Sequence, residues 1–115
     1  MNVSFQGMDE LVMTFRAGEG LEAGDFVKVT ENGTVSACTG GEAPAGVALH
    51  VRNGFAAVRV RGFTEAAYTG TLGLGWQEIG ARGKTVSAAG EGAAGRRCLV
   101  LDRDTSAKTA RLLLW

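Results

Sequence analysis

Little in this chain invites a chemical reading. It holds one histidine, two cysteines, one tyrosine and one proline in 115 residues, and its twelve basic side chains are balanced by twelve acidic ones. Cys38, His50 and Cys98 are too few and too widely spaced to form a zinc site. Neutrality removes the field that draws a protein to nucleic acid or to an anionic membrane surface, so neither partner is expected. No apolar run approaches the roughly 20 residues of a membrane-crossing helix. The N-terminus lacks a basic region followed by an apolar block, so no secretory leader is expected. Both cysteines sit among small or apolar residues and read as buried free thiols, which fits synthesis in a reducing cytosol.

Glycine, by contrast, is abundant. Eighteen are scattered between short apolar runs without a three-residue period, the pattern of many tight turns joining short strands. The runs also recur. Leu21-Glu22-Ala23-Gly24 is echoed by Leu72-Gly73-Leu74-Gly75, and Asn32-Gly33-Thr34-Val35-Ser36-Ala37 by Gly83-Lys84-Thr85-Val86-Ser87-Ala88. Gly46 and Gly95 open the next apolar run, and Val58-Arg59-Val60 answers to Arg111-Leu112-Leu113. An offset near fifty residues implies two copies of one β-motif, about 21–62 and 72–115. Two such halves, each with an apolar face, would bury those faces against each other with pseudo-twofold logic. The expected fold is all-β: a small barrel or sandwich of short antiparallel strands over residues 18–115.

Residues 1–17 stand apart. Val3, Phe5, Leu11, Met13 and Phe15 are apolar at odd positions, while Asn2, Ser4, Gln6, Thr14 and Arg16 are polar at even ones. Met8 and Val12 break the rule, yet the period is close to two, which predicts an extended arm or edge strand. In the body, strands are predicted over 26–30, 34–38, 47–51, 55–63, 76–79, 84–88, 98–102 and 110–115. Asn32-Gly33 and Asn53-Gly54 supply the strongest hairpin signals. Residues 64–71 read as a linker, with at most one helical turn at 65–68.

Each chemical motif has a plainer explanation. Gly90-Glu91-Gly92-Ala93-Ala94-Gly95 has the spacing of a dinucleotide fingerprint, but a strand follows it instead of a helix, and the required acidic residue has no room. Asp102-Arg103-Asp104-Thr105-Ser106 opens like a calcium loop, yet Ala107 and Leu113 stand where glycine and glutamate belong. No third group orients His50 beside either cysteine. Ser36 and Ser87 occupy equivalent strand positions with no nucleophile elbow around them. No catalytic, cofactor or metal residues are therefore assigned. Arg59, Arg61, Arg96 and Arg97 are the densest basic groups, either a solvated face or a place for partner recognition.

The order of certain turns and strand starts carries a resemblance. It lies in Ala23-Gly24-Asp25 before Val27-Lys28-Val29, the Asn32-Gly33-Thr34-Val35 turn, and Glu42-Ala43-Pro44-Ala45-Gly46-Val47-Ala48-Leu49. It continues through Val58-Arg59-Val60-Arg61-Gly62-Phe63, Glu65, Tyr68-Thr69-Gly70 and Leu74-Gly75-Trp76. From about residue 18 to 115 the chain resembles the small capsid decoration, or cement, proteins of tailed bacteriophages, of the DUF2190-like kind. The resemblance implies a non-catalytic structural virion protein, without a cofactor, made in the bacterial cytoplasm. It implies binding, often as a homotrimer, to the major capsid protein on the outer surface of the expanded shell. A physical account follows from the residues. An alternating arm can add as a strand to an exposed sheet edge, with Val3, Phe5, Leu11, Met13 and Phe15 setting register. The rival role for the arm is to close the protein's own sheet. Arg59 and Arg61 are contact candidates in the body, and Trp115 with Leu112–Leu114 a candidate subunit interface. The alternative function is a tail or fibre module that recognises a host-surface ligand through Tyr68 and Trp76, although Trp76 is expected to pack inside. An enzyme would require Cys38, Cys98 and His50 to converge.

Overall fold

The computed structural model describes residues 10–90 and 94–115. Nine strands run in chain order: β1 Leu11–Ala17, β2 Phe26–Glu31, β3 Thr34–Ala37, β4 Gly46–Arg52, β5 Phe55–Tyr68, β6 Gly75–Arg82, β7 Thr85–Ala88, β8 Arg96–Asp104 and β9 Thr109–Leu114. No helix occurs among the described residues. The strand order β1-β3-β2-β4-β5 closes on itself because β1 also pairs with β5. The order β5-β7-β6-β8-β9 closes likewise through β5 and β9. The molecule is thus two five-stranded barrels that share one long strand, and closure removes the free edges a short sheet would otherwise present.

Strand β5 is what joins them. It runs for 14 residues, its first part in one barrel and its second part in the other. Residues 64–68 are therefore a strand, not a linker. Thr64, Ala66 and Tyr68 are buried while Glu65 and Ala67 are exposed, the alternation of a half-buried strand. Alanines on both faces hide that period in the sequence.

The internal repeat is real and exact in part. Arg16 pairs with Thr34 in a parallel bridge, and Ala67 pairs with Thr85 in the same way, an offset of 51 (16 to 67, 34 to 85). These two parallel pairings depart from the all-antiparallel expectation. They arise because β1 and the second part of β5 occupy the same place in their respective barrels. Thr-Val-Ser-Ala appears unchanged as β3 and β7, with Val35 and Val86 both fully buried. At the C-terminal end the register moves by one from the sequence reading: Val58 corresponds to Leu112, not Arg111, since each lies across from the matching residue of β1 or β5.

The cores follow the repeat. Leu21, Val27, Val35, Ala48, Ala56 and Val58 fill the first barrel, with Phe15 and Ala17 packed against them. Leu72, Ile79, Val86, Val100, Ala110 and Leu112 hold the corresponding positions in the second, with Ala66 and Tyr68 where Phe15 and Ala17 stood. The second cluster also takes in Phe26, Cys38 and Val47 from the first barrel. The turn at Asn53-Gly54 has positive φ at both residues (53° and 79°), as the tightest hairpin connection requires.

The barrels do not meet about a twofold axis. The β6–β7 hairpin of the second packs onto the first: Gly83 accepts the Phe26 N–H at 2.9 Å and donates to the Cys38 carbonyl at 2.7 Å. Ala81 exchanges two backbone hydrogen bonds with the Gly41-Glu42 segment, and Lys84 reaches Glu22 at 2.7 Å and Asp25 at 3.3 Å. A side chain at Gly80 would stand 2.3 Å from the Gly41 carbonyl oxygen. The residue in register with Phe26 is Glu78, which is exposed. A twofold junction would bury both; a head-to-tail junction buries one.

Candidate contact surfaces

Residues 11–17 form a wall of the first barrel, paired with β5 on one side and β3 on the other. Of the alternating arm residues, Val3 and Phe5 lie outside the described residues. Phe15 packs into the first core. Met13 lies across from buried Val58, yet it and Leu11 (47% exposed) remain open to solvent, as does Val12.

Strand pairing brings several of these side chains together. Leu11 lies across from Arg61 and Val12 across from Arg59, with a register shift between them. The Arg59 Nε donates to the Glu10 carboxylate at 3.0 Å. The Arg61 guanidinium stacks on the Trp115 ring, 3.7 Å from its centroid, and Trp115 is itself 63% exposed. The Arg61 Nε is buried and has no hydrogen-bond partner among the described residues. An exposed apolar patch with an arginine whose Nε is buried therefore sits at the seam of the barrels, where the chain enters β1. Val12 belongs to it although it breaks the arm's alternation; the register shift of β1 against β5 puts it there, and no local sequence signal marks that shift.

Leu112 and Leu114 are fully buried in the core, Leu113 between them is half-buried, and Trp115 is exposed. Arg96 is engaged within the molecule. Its guanidinium donates to the carbonyls of Ala45 at 2.6 Å, Trp115 at 3.1 Å and Val60, fastening both barrels and the C-terminus together. Burial lowers its pKa, since charge is costly away from water.

The second-barrel aromatics separate. Tyr68 is buried, with the Lys108 ammonium 5.2 Å from its ring centroid. Trp76 is 45% exposed beside exposed Leu74, with Arg97 5.3 Å from its ring centroid, whereas the sequence placed it inside. The alternation of β6 explains this: Ile79 faces the core, and Trp76, three residues earlier, faces out.

Cys38 and Cys98 are both free and buried in the second core cluster, where burial pushes each thiol up to about 11. Thiols held protonated are poor nucleophiles. His50 is exposed on β4 and lines a cavity of the first barrel. No group of three or more His, Cys, Asp or Glu side chains that could hold a metal ion occurs among the described residues. Among the described residues no helix is long and apolar enough to cross a membrane.

No family model, curated protein or solved structure matches this chain.

Proposed function

We propose that this is a capsid decoration protein: a non-catalytic structural component that binds the outer surface of an expanded phage shell and stabilises it. The patch of Leu11, Val12 and Arg61 carries the reading. It places exposed apolar surface and a stacked arginine where residues 1–9 lead into β1, so arm and body would engage the major capsid protein as one surface. Two closed barrels joined by a continuous strand supply the rigid body such a protein needs, and the symmetry of a shell lets modest contacts add through multivalency. Assembly as a trimer, with Trp115 at the subunit contact, completes the proposal.

Co-sedimentation with shells lacking the protein, before and after expansion, tests it. Saturable binding to expanded shells, at a fixed ratio to the capsid subunit, is expected. Failure to bind either form rejects the reading. Trp115→Ala should lower the oligomeric state in sedimentation velocity while leaving the barrels folded.

One observation favours a second reading, a tail or fibre module for a host-surface ligand. Trp76 is exposed beside Leu74 and Arg97, an arrangement suited to stacking on a sugar ring. Binding to host-surface glycans that Trp76→Ala abolishes would establish it.

A further inference from the structure

The repeat lets each surface position be compared with its counterpart, and one pair of positions differs in kind. Across β4, β5 and β1 of the first barrel, two registered rows read His50–Ala57–Thr14 and Arg52–Phe55–Arg16. Across β8, β9 and β5 of the second, the same rows read Asp102–Arg111–Glu65 and Asp104–Thr109–Ala67. The backbones agree closely. Both β4 and β8 carry a register shift at the same point, between Ala48 and His50 and between Val100 and Asp102.

The chemistry does not agree. In the second barrel the rows enclose a cavity of about 240 Å³, and the site neutralises itself: Arg111 is ion-paired to Glu65 at 3.1 Å, and the Asp104 carboxylate accepts the Ser106 and Ala107 amides. In the first barrel the cavity is about 540 Å³, within the size range of ligand sites, and the carboxylates are gone. His50 and Arg52 line it together with Thr14, Leu49, Val51 and Phe55, the last 52% exposed. Neither His50 nor Arg52 has a side-chain hydrogen bond or ion pair among the described residues. Arg16, in register with Phe55, adds a second guanidinium to this face.

We propose that this cavity binds an acidic segment of a partner protein, with a carboxylate at Arg52 and His50 and a neighbouring apolar side chain against the exposed Phe55. The partner's carboxylate would supply the negative charge that Asp102 and Asp104 bring to the second barrel, where His50 and Arg52 stand at the corresponding positions of the first. A guanidinium matches a carboxylate bidentately, and such charge-assisted bonds are the stronger kind. The proposal is independent of the shell-binding reading, whose patch lies at Leu11, Val12 and Arg61.

The test titrates the full ¹⁵N-labelled chain with the blocked peptide N-acetyl-Phe-Glu-amide, its Gln analogue and benzoate, following backbone amide shifts. The Glu peptide should give saturable shifts at His50, Arg52 and Ala57, with the Gln peptide weaker by about tenfold or more. Equal binding of the two peptides would overturn a carboxylate site. Benzoate binding as tightly as the Glu peptide would overturn the assignment to a protein segment. The variant His50→Asp/Arg52→Asp/Ala57→Arg writes the second barrel's residues into the first and should abolish binding. Arg52→Gln alone, a surface change with little risk to folding, should weaken it about tenfold. Unchanged affinity in either variant would refute the proposal.

Discussion

The two barrels share a plan and differ in how completely each is finished. The second holds the larger core, because it gathers Phe26, Cys38 and Val47 from its neighbour in addition to its own Leu72, Ile79, Leu112 and Leu114. The first is filled by smaller side chains, Val27, Val35, Ala48, Ala56 and Val58. In the matching rows of strands the second pairs Arg111 with Glu65 and ties the Asp104 carboxylate to backbone amides, whereas the first leaves Phe55, His50 and Arg52 open. One repeat therefore carries more of the stability, and the other more of the unused surface.

Removing residues 1–17 tests that division most severely. It deletes β1 and opens the first barrel, and we expect loss of the first barrel's protected amides in hydrogen exchange while β6 to β9 keep theirs. Removing residues 1–9 alone should leave both barrels intact and reduce shell binding only. Core truncation comes next: Leu112→Ala should cost about 2–5 kcal/mol in chemical denaturation. Val58→Ala, in register with it but removing a smaller group, should cost less, about 2 kcal/mol at ~0.8 kcal/mol per buried methylene plus a cavity term. Gly80→Ala probes the junction. Its Cβ would collide with the Gly41 carbonyl, and a loss of about 1–3 kcal/mol is expected. The residue in register in the first barrel is Lys28, which tolerates a full side chain because no second hairpin lies against it. Arg96→Gln should cost about 1–3 kcal/mol by leaving buried carbonyls at the seam without their donor.

The smallest effect concerns acid. The Lys28 ammonium, helped by the Gly40 and Thr39 amides, holds the Glu42 carboxyl down to about 2 from an ordinary 4.5. A carboxyl lowered on folding stabilises above its unfolded value and loses that contribution as pH falls through the folded one. The wild type should therefore lose stability between about pH 4.5 and 2, and Glu42→Gln should flatten that part of the profile.

Eight of the nine strands, and the repeat that relates them, could be read from alternation and turn residues alone. Asn53-Gly54 is a local signal and it marked its hairpin correctly. The sharing of β5 was not legible, because Thr64, Glu65, Ala66 and Ala67 give no contrast in hydropathy and Gly62 suggests a break. Sequence offered closure of the protein's own sheet as one of two roles for the arm without deciding between them; residues 11–17 pair with β3 and β5, with a register shift between Leu11 and Val12 that no local signal marks. The cavity of the first barrel was hidden for a related reason. His50 and Arg52 come beside Ala57 and Phe55, in two adjacent rows, only through pairing across strands, and each alone reads as a solvated surface residue.

The shared strand also bears on how the chain is made. Once residue 61 has left the ribosome, every strand of the first barrel is in hand, whereas the second cannot begin until the same strand is extended. Its far end then emerges already anchored and offers β7 and β9 a template to grow on. Until they arrive, Phe26, Val47 and Cys38 have no cover, so the nascent chain carries a transient sticky face that a stalled or truncated product would keep.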